Sequence, residues 1–234
     1  MHPSWSCPRS RPGKQEYAVG ANVVTGVGVV SDVECMLITH NPTVHGGASN
    51  PYTWKKVLRA LDIPKVNGLP LINLVESGGG NLRRQAELFV PAGRLFHDLS
   101  ALSAAGIPAI ALVFGNSTAG GAHVPGMCDY PVMVKGQAKV FLGGQPLVKM
   151  ATGEDADDES LGGGEMHAHT SGLADYLTRD ENECISIGRE IVRHLNWRKL
   201  GATPVLPVDE PRYDAEELVD IASVDLKVLS IRAG

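Results

Sequence analysis

Residues 70–80 of the chain read PLINLVESGGG, an apolar run that ends in three consecutive glycines. Such a run is typical of a strand that is buried on both faces of a parallel sheet. Residues 108–121, PAIALVFGNSTAGG, repeat the arrangement with a short polar spacer before the glycines. The two segments predict two buried strands, each followed by a glycine-rich loop.

The other apolar patterns place strands and helices along the rest of the chain. They predict a hairpin of strands at 23–30 and 34–41, and two short strands around Gly136. They also predict a helix from Trp54 that stops near Pro64, a helical stretch interrupted by Pro91, a short helix after the second glycine loop, and a helix around 181–197. Strands that alternate with helices indicate an α/β fold with a largely parallel sheet. We predict one domain at 21–200, a loose tail at 1–20 and a proline-rich linker that starts at 201.

Composition excludes several classes of function. Lys and Arg number 21 against 26 Asp and Glu, so no basic stripe indicates a nucleic-acid partner. No apolar run approaches the roughly 18 residues of a membrane span. The four cysteines lie far apart without a CxxC pair, which argues against a zinc ribbon and favours reduced thiols. The N-terminus lacks the apolar segment of a secretory signal. It is basic, as a transit peptide is, but its prolines favour a disordered tail.

The glycine loops suggest a specific chemistry. Of the 27 glycines, Gly78–Gly80 and Gly120–Gly121 follow the two predicted buried strands. Ligands of open α/β sheets bind beyond the carboxyl ends of the strands. Backbone N–H groups from two such loops can stabilise one developing oxyanion, and glycine lets a carbonyl approach them closely. Ordinary turns are the alternative interpretation, and no nucleotide-binding glycine motif is present.

Five segments in order carry a family pattern: NPTVHGG (41–47), SGGGNLRRQ (77–85), TAGGAHVPGMCD (118–129), FLGGQPLVKMATGE (141–154) and LGGGEMHAHTSGLADYLTRDE (161–181). Together they resemble the N-terminal half of the biotin-dependent acyl-CoA carboxyltransferases, from about Val23 to about Leu226. The resemblance implies a crotonase-like fold of β-β-α units in a single domain. SGGGNLRRQ is closer to the SGGANLPRQ of the methylcrotonyl-CoA and geranyl-CoA types than to the SGGARIQEG of the propionyl-CoA type.

The resemblance also implies roles for the glycine loops. The amides of Gly79 and Gly120, with Gly121 beside it, are expected to stabilise the enolate of an acyl-CoA thioester, which is then carboxylated by carboxybiotin. No side-chain base is expected, because the biotin ureido nitrogen takes the α-proton. The residues expected to contact substrate are Gly78, Gly80, Ala119, Ala122, His123, Arg83 and Arg84.

Two of these positions depart from the family. His123 stands where crotonase-type hydratases have a carboxylate and carboxyltransferases usually have a tyrosine, so we interpret it as a pocket-lining residue rather than a base. Arg83 stands where proline is common, and it lies with Arg84 beside the first glycine loop, where either can meet a phosphate of CoA. His167 and His169 form an HxH pair without an evident third ligand, so no metal is expected.

The partners expected from the resemblance are an acyl-CoA, a biotin carboxylase with its biotin carrier, a carboxyltransferase C-terminal domain and further copies of the chain. Residues 201–234 resemble the linker and the truncated start of that C-terminal domain, with the match ending at Val228. A shifted or truncated reading frame is one hypothesis for both ends. The expected location is the cytoplasm, or the mitochondrial matrix in a eukaryote. A binding-only remnant and a hydratase or isomerase that uses His123 are the alternative functions.

Overall fold

A seven-stranded sheet forms the centre of the structure, a computed structural model that describes residues 21–199 and Arg212. The strands run β1 (Val23–Val30), β2 (Val33–His40), β3 (Leu71–Ser77), β4 (Ala109–Thr118), β5 (Tyr130–Val134), β6 (Lys139–Phe141) and β7 (Tyr176–Thr178). They lie in the order β1-β2-β3-β4-β5-β7, and β6 pairs with the C-terminal end of β4. The predicted tail at 1–20 and nearly all of the segment 201–234 fall outside the described residues.

The sheet begins with the predicted hairpin and is otherwise parallel. Strands β1 and β2 are antiparallel and join through Ser31 and Asp32, which both have positive φ angles, of 46° and 65°. Two such residues in a row form a two-residue turn whose twist matches that of the strands it joins. Every other strand pairing is parallel among the described residues. The prediction of a largely parallel α/β sheet is therefore confirmed.

Strands β3 and β4 lie side by side and bring the two glycine loops to one edge. Leu71 to Val75 pair in regular register with β4, and the register then shifts so that Ser77 pairs with Ser117. The shift inserts extra residues into β4, and the backbone of Gly115 lies against the side chain of Glu76, whose Oε1 would be 2.7 Å from a Cβ at that position. A bulge of this kind re-aims the strand end that follows it.

Seven helices surround the sheet in the described part of the chain. They are α1 (Pro51–Asn67), α2 (Gln85–Ala104), α3 (His123–Met127), α4 (Gln145–Thr152), α5 (Asp158–Gly162), α6 (Gly164–Met166) and α7 (Glu181–His194). Helix α7 lies against the face of the sheet that carries Leu112, because the backbone of Gly188 packs on that side chain. No helix among the described residues is both long enough and apolar enough to cross a bilayer.

Helix α1 starts at a capping box and does not stop at Pro64. The side chain of Asn50 accepts hydrogen bonds from the N–H groups of Tyr52 and Thr53, and the Thr53 hydroxyl accepts one from the N–H of Asn50. Such a cap satisfies donors that the first helical turn leaves open. The helix ends at Gly68, whose φ of 61° reverses the chain while its N–H bonds to the Pro64 carbonyl. The predicted stop near Pro64 is therefore three residues early, because Pro64 lies within the last turn and Gly68 ends the helix.

Helix α2 likewise runs through its proline. The prediction of an interruption at Pro91 was wrong, since α2 is continuous from Gln85 to Ala104. A proline inside a helix removes one hydrogen bond and costs about 3 kcal/mol. Buried leucines lie on both sides of it, at Leu88 and at Leu95, Leu99 and Leu102. Burial of these side chains on both sides of Pro91 offsets that cost and keeps the helix continuous.

Candidate active site

An apolar cavity of about 160 Å³ lies between the sheet, α1 and α2, next to both glycine loops. The sheet contributes Ile38, His40, Asn73 and Ser77, and the helices contribute mostly Leu, Val, Phe and Trp side chains. Gly79, Gly80, Ala119, Gly120 and Gly121 close one end. A concave apolar site with a few convergent polar groups is the usual form of a small-molecule site.

The first glycine loop is held in place by the segment that precedes α1. The N–H of Ser49 donates to the carbonyl of Gly79 at 2.7 Å, and the N–H of Asn81 donates to the carbonyl of Ser49 at 2.9 Å. Gly79 has a φ of +83°, which side chains rarely adopt. Its N–H donates to the Ser77 hydroxyl at 3.2 Å. A substrate oxygen at Gly79 must therefore share this donor with Ser77 or replace the hydroxyl.

The second loop turns sharply at the end of β4. Ala119 has a φ of 54°, a left-handed conformation that is unfavourable for a residue with a Cβ. A 3₁₀ turn, Ala119–Ala122, follows and leads directly into α3. The Ser117 hydroxyl donates a hydrogen bond to the carbonyl of Gly121 at 2.8 Å and so ties the turn to the end of β4. At Gly120 a Cβ would meet no atom within 4 Å, so this backbone faces open space.

The two loops are in direct contact. A Cβ on Gly79 would lie 3.0 Å from the carbonyl oxygen of Thr118, and one on Gly121 would lie 3.1 Å from the Ser77 hydroxyl oxygen. Larger residues at either glycine would push the loops apart. The structure thus brings Gly79 and Gly120 to one end of the same cavity, which is the arrangement that an oxyanion site requires.

Of the predicted contact residues, Gly80 and Ala119 line this cavity, whereas Gly78, Ala122 and His123 do not. Gly78 is exposed and packs on the loop before it, where a Cβ would lie 2.7 Å from the carbonyl oxygen of Gly46. Ala122 is buried and lines a second cavity of about 290 Å³, together with His123 and His167. His123 is exposed, its Nδ1 is 3.3 Å from the Ala119 carbonyl oxygen, and its ring centroid is 4.9 Å from that of Phe96.

The two predicted phosphate contacts lie on the rim beside the first loop. A 3₁₀ turn, Leu82–Arg84, starts at Asn81, whose side chain accepts the N–H of Arg83. The Arg83 side chain is exposed. Arg84 forms an ion pair with Glu87 at 3.0 Å, so part of its charge is already balanced. Of the pair, Arg83 is therefore the better candidate for a phosphate.

The HxH pair has a structural explanation. His167 is buried, its Nε2 is 2.7 Å from the carbonyl oxygen of Val140, and its Nδ1 is 2.7 Å from the hydroxyl of Ser171. Both ring nitrogens are therefore engaged within the protein. In the described part of the chain, no three His, Cys, Asp or Glu side chains come together as a metal site.

Sequence reasoning missed two polar residues on the cavity wall. His40 lies at the end of β2, with Nδ1 3.3 Å from the carbonyl oxygen of Leu74, and burial lowers its pKa. Asn73 is 3% exposed and lies in the middle of β3. The sequence does distinguish Asn73, because it is the one polar residue within the apolar run PLINLV. Nothing local in the sequence indicates that His40 faces the same space.

Comparisons with known proteins identify the family. The carboxyl transferase domain matches residues 8–228. The chain is 61% identical, over 91% of its length, to a probable biotin-dependent acyl-coenzyme A carboxylase beta2 subunit of Mycobacterium tuberculosis, of which it covers 40%. It is 47% identical, over 92% of its length, to the mitochondrial methylcrotonoyl-CoA carboxylase beta chain of Dictyostelium discoideum, of which it covers 37%.

A solved structure supports the same assignment. The geranyl-CoA carboxylase beta subunit of P. aeruginosa aligns over 90% of this chain and 39% of its own, with a TM-score of 0.75 and 41% identity. The chain thus spans about 40% of the length of these relatives. The predicted resemblance to the methylcrotonyl-CoA and geranyl-CoA types, and the predicted crotonase-like α/β fold, are confirmed. The chain belongs to the carboxyl transferase domain family of the biotin-dependent acyl-CoA carboxylases.

Proposed function

We propose that this chain binds an acyl-CoA and stabilises the enolate of its thioester, so that the enolate carbon can be carboxylated. The observation that carries the proposal is the contact between the two glycine loops at the mouth of one apolar cavity. The thioester carbonyl would lie at the loops, and the acyl chain would lie in the cavity. Carboxybiotin, carried on a partner protein, supplies the carboxyl group and, through its ureido nitrogen, the acceptor for the α-proton.

The loops supply the electrostatic part of the reaction. Loss of the α-proton moves negative charge onto the thioester oxygen, and in this proposal the amides of Gly79 and Gly120 donate hydrogen bonds to it. Removal of one such donor typically lowers a rate by about 10²–10³. The N–H of Gly79 is held by the Ser77 hydroxyl at 3.2 Å, which is longer than an optimal hydrogen bond. A charged oxygen is the stronger acceptor and would take the donor from this hydroxyl.

The cavity sets the size of the acyl group. It measures about 160 Å³ and its wall is mainly apolar. An apolar cavity of about 150 Å³ in another protein holds benzene. By that comparison, the cavity accommodates about six non-hydrogen atoms beyond the thioester carbonyl. Short branched or medium-length acyl groups fit this volume.

The rest of the coenzyme would lie outside the cavity, near the rim. Arg83 is exposed beside the first loop and is free of any ion pair among the described residues. A guanidinium group can contact a phosphate through two parallel hydrogen bonds. We therefore assign a phosphate contact to Arg83 and a supporting role to Arg84, whose Nε is 3.0 Å from Glu87.

We propose that turnover also involves regions that the longer relatives have outside the matched part. Because the chain spans about 40% of its relatives' length, we propose that it acts with a carboxyltransferase C-terminal domain, whose start we assign to 201–234, and with a biotin carboxylase and carrier. Three apolar side chains beside the first loop, Leu82, Phe89 and Val90, are 74%, 69% and 84% exposed. Such a patch is typical of an association surface and supports assembly with that domain and with further copies. We propose a cytoplasmic location, or the mitochondrial matrix in a eukaryote.

One experiment tests the proposal in two stages. Calorimetry first compares CoA with 3-methylcrotonyl-CoA and hexanoyl-CoA, and we expect both thioesters to bind more tightly than CoA itself. Carboxylation is then assayed with and without a supplied C-terminal domain and a biotinylated carrier, and we expect turnover only when both are present. Binding without turnover in any combination would support the binding-only alternative. Equal affinity for CoA and its thioesters would contradict the proposal.

A further inference from the structure

The wall of the acyl cavity carries a polar group that the proposed chemistry does not use. Side chains alternate across a strand, so Asn73 and Ser77 lie on one face of β3 and Leu74 lies on the other. Asn73 pairs with Ile38 of β2 and Ala111 of β4, and it lines the cavity with Ser77. Asn73 lies four positions before Ser77, a distance of about 13 Å along the strand. Asn73 therefore lies well inside the cavity, away from the glycine loops.

The hydrogen-bonding capacity of the Asn73 amide is only partly used. Its Nδ2 is 3.6 Å from the Cys128 sulfur, and this is its one side-chain partner within residues 21–199. A carboxamide offers two donors and an acceptor with two lone pairs. A cysteine sulfur is a weak hydrogen-bond partner for either the NH₂ group or the oxygen of the amide. Burial of an amide with so few hydrogen bonds costs free energy unless another group forms the missing bonds.

Other polar groups of the same wall are also incomplete. His40 is on β2 two residues beyond Ile38, and therefore on the same face, and only its Nδ1 has a partner within residues 21–199. The indole N–H of Trp54, on α1, is buried with no hydrogen-bond partner in the described part of the chain. Both side chains line the cavity. A purely hydrocarbon acyl chain would offer no hydrogen bond to the Trp54 indole, or to the unused capacity of Asn73 and His40.

We propose that the acyl group that enters this cavity carries a hydroxyl group near its far end, and that Asn73 binds it. A hydroxyl is both a donor and an acceptor, so it can pair with whichever end of the amide faces the cavity. The volume of about 160 Å³ sets the position of this hydroxyl at about six atoms beyond the thioester carbonyl. The inference rests on the proposed function, since it assumes that the acyl chain lies in this cavity.

Matched pairs of thioesters test the proposal. Each pair replaces a terminal methyl by a hydroxyl: pentanoyl-CoA against 4-hydroxybutanoyl-CoA, heptanoyl-CoA against 6-hydroxyhexanoyl-CoA, and nonanoyl-CoA against 8-hydroxyoctanoyl-CoA. Calorimetry measures the ratio of the two dissociation constants in each pair for the wild type and for Asn73→Leu, which has the same side-chain branching without the hydrogen-bonding groups. For the heptanoyl pair, we expect Asn73→Leu to shift the ratio toward the methyl compound by about fivefold or more, the effect of one hydrogen bond.

The controls separate this inference from the proposed function. Heptanoyl-CoA should bind Asn73→Leu within about threefold of the wild type, because Leu keeps the cavity apolar. Asn73→Ala provides a second variant if the leucine is not accommodated. If both thioesters bind and no pair changes its ratio in either variant, the hydroxyl proposal is wrong while the acyl-binding function stands. If no thioester binds the wild type, both are wrong.

Discussion

Gly79 lies so close to Thr118 that a Cβ on Gly79 would be 3.0 Å from the Thr118 carbonyl oxygen. The contact joins the end of β3 to the end of β4 and closes one end of the apolar cavity. It requires both the absence of a side chain and the φ of +83° that Gly79 adopts. The position of one predicted oxyanion donor therefore depends on the backbone of the loop that carries the other.

Gly79→Ala is expected to damage both folding and the site. A side chain at this φ costs about 1–2 kcal/mol, and the contact with Thr118 adds to that strain. We expect urea denaturation to show a loss of about 1–3 kcal/mol, and calorimetry to show at least about tenfold weaker binding of hexanoyl-CoA. Gly106→Ala is the matched control, with a φ of +69° and no atom within 4 Å of its Cβ. It should lose stability but keep its affinity.

Gly120→Ala separates the site from the fold. A Cβ there meets no atom within 4 Å and Gly120 does not have a positive φ, so the free energy of unfolding should change by less than about 0.5 kcal/mol. The added methyl group would stand between the amide and a thioester oxygen. We expect carboxylation in the reconstituted complex to fall by about 10²-fold. Unchanged activity would show that this amide does not face the substrate.

A glycine on the exposed side of α2 provides the comparison for that result. Gly93 is exposed, and a Cβ added there would also meet no atom within 4 Å. Gly93→Ala should stabilise the helix by up to about 1 kcal/mol and leave carboxylation unchanged.

Arg83→Ala is expected to weaken the contact with the phosphates of CoA. The guanidinium is exposed, so its contribution should be modest and screened by salt. We expect affinity for hexanoyl-CoA to fall about three- to tenfold at low ionic strength and by less at 0.5 M salt, measured by calorimetry. Arg189→Ala removes an exposed arginine from α7 and should have no effect. Equal losses in the two variants would argue for a general charge effect.

His123→Ala tests the hydratase alternative. His123 is exposed, and it does not line the cavity that holds Gly79 and Gly120. We expect no hydration of crotonyl-CoA by the wild type, and less than about a threefold change in acyl-CoA affinity in the variant. Hydration that is present in the wild type and lost in His123→Ala would favour the alternative, since a general base contributes about 10²–10⁴ to a rate.

The buried thiols predict a loss of stability at alkaline pH. Burial raises the pKa of Cys184 from 9.0 to about 12. Between these values the folded state keeps a proton that the unfolded state releases, so stability falls as pH rises. The slope is at most about 1.4 kcal/mol per pH unit for each thiol.

Denaturation with urea from pH 7.5 to pH 10.5 measures this slope. Cys184→Ala should be less stable at neutral pH, because it leaves a small cavity, but its curve should fall less steeply above pH 9. Subtracting the two curves removes the contribution of lysines and tyrosines. Parallel curves would mean that the Cys184 thiol does not remain protonated in the folded state.

Much of the site could be predicted from local patterns. Apolar runs that end in glycine identify β3 and β4 and the loops that follow them, because the side-chain period of a strand and the conformational freedom of glycine are properties of a few adjacent residues. The prolines misled the same reasoning. Proline usually ends or kinks a helix, but α1 and α2 continue through Pro64 and Pro91, because buried leucines of both helices pack in the core.

The sequence by itself determined the α/β class, the two glycine loops and the family, because ordered motifs and apolar periodicity need no knowledge of distant contacts. The tertiary structure alone decided which groups meet. The register shift after Val75 aligns Ser77 with Ser117, and the Gly79 amide then bonds to the Ser77 hydroxyl. The packing of α1 and α2 over one face of the sheet turned Asn73 into part of a cavity wall. The Ser77–Ser117 pairing and the cavity wall join residues far apart in the chain, so no local pattern encodes them.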